Sequence, residues 1–344
     1  MRELISLLRT VLLGGVFVFT TAPARAESEI VIAIRYLQAQ GTSHSHLYLY
    51  RADGKLLRQL TNDNSGQDLD PIFAPDGETI VFMREKANDV REFWSVEPRG
   101  TQLKQLHAAP DWYSNSKSSP YFTNREQGDD AATGTALDAV ADAEDRPPAT
   151  IKAPDGSGEI FWRKGNDKED PLDWVMWLRD AKGTETKIGN LPGFPSFTPL
   201  RIADDQDRRF LFEAPLRLLF FASHLNSTDG DTVVAFDFDK RKLVTLSPNW
   251  ATPIPLPGEA AFLTLTENRY VGIPGSTKTA NCSYLERWSA DLKETCRERE
   301  EDKGPICAGK PEVRYARKDS AAICYGASVY RPGKDPTVVI FRSR

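Results

Sequence analysis

Residues 47–84, LYLYRADGKLLRQLTNDNSGQDLDPIFAPDGETIVFMR, constrain the fold more than any other part of the chain. They read as strand, turn, strand, polar loop, strand, turn, strand. Residues 47–50 are β-prone, Ala52-Asp53-Gly54 makes a turn, and 56–61 runs back. The polar loop ends in Asp68-Leu69-Asp70-Pro71. Ile72 and Phe73 then lead into Pro75-Asp76-Gly77, and 79–83 forms another apolar strand. Side chains alternate across a strand, so Leu47 and Leu49 face one side and Tyr48 and Tyr50 the other. A sheet that is apolar on both faces must be covered on both.

Further copies of the same unit supply that cover. A Pro-x-aromatic opening occurs at Pro71-Ile72-Phe73, Pro120-Tyr121-Phe122 and Pro195-Ser196-Phe197, with a looser copy at Pro311-Glu312-Val313. The first strand and turn of the following hairpin recur six times, at 47–55, 93–101, 175–183, 233–241, 284–293 and 328–335. Pro71 and Pro120 are 49 residues apart, and Pro195 and Pro311 are 116, two longer units. Roughly forty-five residues carrying four short strands is the period of a β-propeller blade. The expected architecture is therefore all-β, a six-bladed propeller of four-stranded antiparallel blades. A β-sandwich would not need a regular opener. The aromatic pairs Phe93/Trp94, Phe161/Trp162 and Trp174/Trp177 read as packing between blades, each buried ring being worth about 2–3 kcal/mol. Either 30–36 or 338–342, or both, is expected to close the ring.

The first 26 residues read as an export signal. Arg2 and Arg9 precede and flank the start of the apolar run 11–20, and Ala24-Arg25-Ala26 is a small-x-small cleavage site. The run is too short to anchor in a bilayer, and no cysteine follows it to carry a lipid. The mature chain is then 27–344, with a periplasmic or secreted destination. Removing three arginines and one glutamate takes the net charge from −5 to −7, which argues against nucleic acid and anionic membranes as partners. Residues 127–157, rich in Ala, Asp, Gly and Pro, read as a mobile acidic insertion. A second insertion covers 198–215. The four cysteines, Cys282, Cys296, Cys307 and Cys324, allow three pairings of two disulfides. Cys282 and Cys296 flank an expected hairpin turn near Ala290-Asp291, which favours Cys282 with Cys296 and Cys307 with Cys324.

The string LRQLTNDNSGQDLDPIFAPDGETIVFMRE resembles the TolB-type, WD40-like propeller repeat. The hallmarks of that repeat are Leu-Thr, an acidic loop, Pro-x-aromatic, and Ala-Pro-Asp-Gly before a strand. The resemblance rests mainly on 47–101 and concerns the propeller alone, since a strand at 30–36 begins where TolB carries an α/β domain. TolB's own role in the cell envelope does not carry over whole; the expectation for an exported propeller of this kind is a scaffold that binds a protein of the cell envelope, with glycan as the lesser option. Some propellers of related build are polysaccharide lyases, which supplies the alternative of an enzyme with a His/Asp site and a divalent metal. No cofactor is expected under the binding reading.

Candidate binding residues sit in the loops leading into each first strand: Asp68 and Asp70, Trp112 and Tyr113, Phe194, Trp250 and Lys310. Exposed aromatics around one mouth bury large area at small entropic cost, as recognition surfaces require. All four histidines, His44, His46, His107 and His224, map to the same rim. With Asp68 and Asp70 they are the candidate metal or acid–base residues of the alternative. The segment 304–310 matches GxxxxGK, but Pro311 replaces the Ser/Thr and a strand follows, so no phosphate loop is expected. No GxSxG elbow is present.

Overall fold

The computed structural model describes residues 28–117, 150–164, 174–189, 201–202, 208–212, 215–224, 232–246, 251–256, 258–297, 306–332 and 337–342. The signal segment, Phe194, Trp250 and most of the 127–157 insertion lie outside the described residues. The chain opens with β1 (Glu29–Tyr36), β2 (Ser45–Arg51) and β3 (Leu56–Gln59). A second sheet follows: β4 (Gln67–Phe73), β5 (Ile80–Glu85), β6 (Arg91–Val96) and β7 (Lys104–Leu106). After a short helix, α1 (Asp111–Asn115), comes a third: β8 (Ile151–Lys152), β9 (Gly158–Lys164), β10 (Trp174–Asp180) and β11 (Glu185–Gly189). The fourth holds β12 (Arg201–Ile202), β13 (Arg208–Leu211), β14 (Leu218–His224), β15 (Thr232–Asp237) and β16 (Lys242–Thr245). In the fifth, β17 (Ala251–Pro255), β18 (Ala261–Gly272) and β19 (Thr279–Ser289) precede a ribbon of β20 (Glu294–Arg297) and β21 (Ile306–Gly309). The fifth sheet is completed by β22 (Val313–Arg314), after which β23 (Ala322–Tyr330) and β24 (Thr337–Arg342) end the described chain.

Every strand pair among the described residues is antiparallel, and the first sheet runs β24-β23-β1-β2-β3. Both ends of the described residues thus meet in one sheet, through the register Glu29↔Tyr330 to Tyr36↔Ala322. The sequence repeats its hairpin six times, yet the described residues form five sheets of four or five strands and one two-stranded ribbon. The physical reason is this closure: the hairpins at 47–55 and 328–335 are parts of one sheet rather than two.

The faces stack as the alternation requires. Leu47 and Leu49 enter a core with Phe73, Ile80 and Phe82 of the second sheet. Tyr48 and Tyr50 enter another, with Leu263, Leu265 and Tyr284 of the fifth. The third sheet packs on the fourth through Ile160, Met176, Val234 and Phe236. The fourth packs on the fifth through Phe220, Phe262 and Trp288, the last two stacked at 6.2 Å. The remaining face of the second sheet, Ile72 and Val81, is covered by Tyr113 and Val339.

One turn design recurs at one end of the sheets. At 74–79 the Ala74 N–H donates to Thr79 O and the Gly77 N–H to Ala74 O, while Asp76 accepts from the Glu78 N–H. The same pattern closes 153–158, with Asp155 accepting from the Ser157 N–H. Both are Ala-Pro-Asp-Gly, an Asx-type turn with its glycine at positive φ. Residues 151–157 are therefore strand and turn, not the tail of the insertion. Likewise Asp68-Leu69-Asp70-Pro71 is not loop but part of β4, and the looser opener at Pro311 leads into β22, the outer strand of its sheet.

Candidate binding rim

Opposite the Asp-Gly turns, the sheets end in longer loops. Residues 37–44 join β1 to β2, 60–66 lead into β4, 86–90 join β5 to β6, and the β18–β19 hairpin reaches past its neighbours to a tip at 273–278. All four histidines lie at this end by strand position. The structure brings two of them together with Asp68.

Asp68 and Arg84 sit opposite each other on β4 and β5, and both side chains are 0% exposed. Arg84 Nε donates to Asp68 Oδ1 at 2.6 Å and Nη2 to Oδ2 at 3.1 Å, a two-pronged pair. The third nitrogen, Nη1, donates to Asp63 Oδ2 at 2.7 Å. The guanidinium lies 4.8 Å from the Trp94 ring and 5.6 Å from Phe82. Ser45 Oγ donates to Asp68 O, tying β2 to β4 across the sheet junction. Burial pushes the Asp68 carboxyl above its ordinary value, and Arg84 pulls it back. Removing one member of such a pair costs about 3–5 kcal/mol, because the other is left charged in the interior.

His46 borders this pair. Burial lowers its imidazole from the ordinary value; Asp68 and a hydrogen bond with Asn64 oppose that shift, while His44 and Arg84 add to it. Its Nδ1 is buried with no hydrogen-bond partner. His44 Nδ1 lies 3.2 Å from both Gly66 O and Gln67 Nε2. His107 is exposed past the end of β7, and His224 ends β14, its side chain outside the described residues. Among the described residues no three His, Cys, Asp or Glu side chains are grouped to hold a metal ion. Asp68 is already spent on Arg84.

Of the aromatic set, Trp112 and Tyr113 are among the described residues, and Tyr113 is buried where exposure was expected. Tyr113 is 3% exposed; its hydroxyl donates to Asp70 O at 3.0 Å, and Arg342 stacks on its ring at 4.9 Å. Arg342 also donates to Tyr113 O and Ser116 Oγ. Tyr113 therefore plugs the junction between the second sheet and the chain's last strand, and Trp112 packs edge-on beside it at 6.2 Å. Asp70 is buried at a bulge in β4 with φ +51, pressed against Gly326 of β23, where an added Cβ would stand 2.7 Å from Asp70 Cα. Lys310 is exposed beside Glu312, on the turn side of the fifth sheet: its N–H donates to Lys293 O, and Glu312 pairs with Arg287, which also reaches Glu259. It does not share the rim with Asp68.

Sequence reasoning missed Arg84, an arginine that follows four apolar residues in β5, and the exposed apolar side chains, of which Leu56 and Leu103 lie at the turn end and two lie elsewhere. Val90 is 50% exposed in the 86–90 loop and Tyr270 is 78% exposed on the β18–β19 arm. Both are at the rim. Strand alternation assigns Tyr270 to the face opposite Val271, which packs on the core.

No protein-family model matches the chain, and no curated protein matches it. Solved structures do. They include TolB from Acinetobacter baumannii, at 14% identity over 81% of this chain and 50% of that one, with a TM-score of 0.20. The β-propeller domain of the Trilobed protease from Pyrococcus furiosus matches at 13% identity over 81% of this chain and 72% of that one, TM-score 0.25. An oligogalacturonate lyase in complex with manganese matches at 11% identity over 82% of this chain and 85% of that one, TM-score 0.22. The chain spans half the length of the Acinetobacter TolB. The chain is similar to TolB and to other propeller domains, and it is all-β with several four-stranded antiparallel sheets.

Proposed function

We propose that the chain is an exported β-propeller acting as a non-catalytic binding scaffold for a protein of the cell envelope, with recognition at the loop rim. The observation that carries this reading is how the rim spends its charges. The buried carboxylate of Asp68 and guanidinium of Arg84 satisfy each other, while the apolar side chains of Val90 and Tyr270 face solvent. Exposed aromatic and aliphatic side chains on loops held by rigid sheets are the usual anchors of protein recognition. An envelope location rests on the export signal and agrees with the Cys296–Cys307 disulfide.

The enzyme alternative draws on one feature, the unpartnered His46 Nδ1. Elemental analysis of chelator-free protein tests it: stoichiometric divalent metal would restore that reading. The binding reading is tested by retention of envelope proteins on the immobilised mature chain, compared with a Val90→Asp, Tyr270→Ser double variant. Both sites are exposed, so the variant should melt within a few degrees of wild type and lose the retained protein. Identical retention on both would overturn the proposal.

A further inference from the structure

Arginines held in place in this protein are mostly held by carboxylates, as Arg84, Arg179, Arg217, Arg287 and Arg314 are. Arg317 is held by rings instead. Its guanidinium carbon lies 4.5 Å from the Tyr36 ring centroid and 5.8 Å from that of Tyr48. Its backbone N–H donates to Tyr36 Oη at 3.1 Å, and Tyr36 and Tyr48 pack edge-on at 5.4 Å. The side chain is exposed, and no ion pair engages it among the described residues. Its rotamer freedom is already restricted while its fork of N–H donors is unspent.

Three loops converge around it. The Leu37 N–H donates to Ala321 O at 2.8 Å, and a Cβ at Gly275 would stand 3.8 Å from that of Ala39. Val271, Ile273 and Ala280 seat the β18–β19 arm on the core beneath. Residues 37–41, 273–278 and 316–321 therefore form one corner of the rim. It carries Lys278, Arg317 and Lys318 against a single carboxylate, Asp319, in a chain whose net charge is −5.

We propose that this corner docks an acidic polypeptide segment of the partner, its carboxylates pairing with Arg317 and the two lysines and its chain lying beside Tyr270. The proposal rests on the rim being the recognition face and names the chemistry of what binds there. A planar guanidinium pre-set on a ring matches a carboxylate through two parallel hydrogen bonds. Asp319, within the cluster, opposes a continuously anionic surface such as a bilayer, but leaves room for carboxylates spaced along a peptide. The acidic remainder of the molecule also repels such a surface.

The test is fluorescence anisotropy with a fluorescein-labelled (Glu-Gly)6 peptide and the full mature chain, against (Gln-Gly)6 and phosphatidylglycerol vesicles. The acidic peptide should bind, weaken as salt is raised, and outcompete both controls. Arg317→Glu with Lys318→Glu should weaken it about tenfold or more, and Arg317→Gln by less, with both variants melting like wild type because the sites are exposed. Three results would each overturn the proposal: no binding by wild type, equal binding by the charge reversal, or preference for vesicles. If envelope retention depends on Val90 and Tyr270 but survives the charge reversal, the corner fails while the rim reading stands.

Discussion

Leu47 and Tyr48 are chain neighbours that end in different cores, one against Phe73 and Phe82, the other against Tyr36 and the fifth sheet. Alternation alone dictates this, so a reader of the sequence can assign both faces. Asp68 is the opposite case. Its place in a polar, Asp-rich stretch suggests solvent, whereas pairing with Arg84 allows full burial. Tyr113 similarly reads as an exposed loop aromatic until Arg342, 229 residues away, is seen to cover it. Tyr113→Ala should then cost about 3–5 kcal/mol, so it would report on folding and not on binding. His46 makes a pH prediction. Its imidazole is lowered in the folded state, so as pH falls through about 6.5 the unfolded chain takes up a proton first. Stability should therefore decline from pH 7.5 to 5.5. In urea titrations His46→Gln should flatten that slope; an unchanged slope would show that His46 is not its source.

At the scale of elements, the Asp-Gly turns were legible because their chemistry is local: the aspartate accepts the N–H two residues on, and glycine takes the positive φ. Gly77 is fixed twice over, since a Cβ there would stand 2.1 Å from the Tyr330 ring. The cysteines were not legible. Their expected pairing assumed that the strand after Ala290 returns along β19. Instead β20 pairs with β21, placing Cys296 opposite Cys307 with Cα atoms 4.0 Å apart. Cys282 and Cys324 are buried and carry no disulfide. Non-reducing peptide mapping should therefore recover a single cross-link, Cys296 to Cys307. A maleimide probe should label no thiol in native protein and two after denaturation without reductant. Recovery of a Cys282 to Cys296 link would contradict the ribbon.

For the whole molecule, the decisive feature is that β1 and β23 pair along their length, with β24 added at the edge, so the first and last described strands share a sheet. The first sheet packs on the second and the fifth, and the fourth on the third and the fifth, so most of the described faces are covered by a neighbouring sheet. Small-angle scattering should give a radius of gyration of about 20 Å for a chain of this length; a much larger value would mean that the faces are not stacked as described. The sequence by itself determined the all-β class, the repeating hairpin, the two apolar faces and the turns, because each depends on residues within a few positions of one another. Only the tertiary structure decided that six hairpins share five described sheets, which cysteines meet, and which rim residues are buried. Those outcomes hang on contacts between residues tens to hundreds of positions apart, and no local period or spacing encodes which distant partner a strand end, a thiol or a buried charge will find.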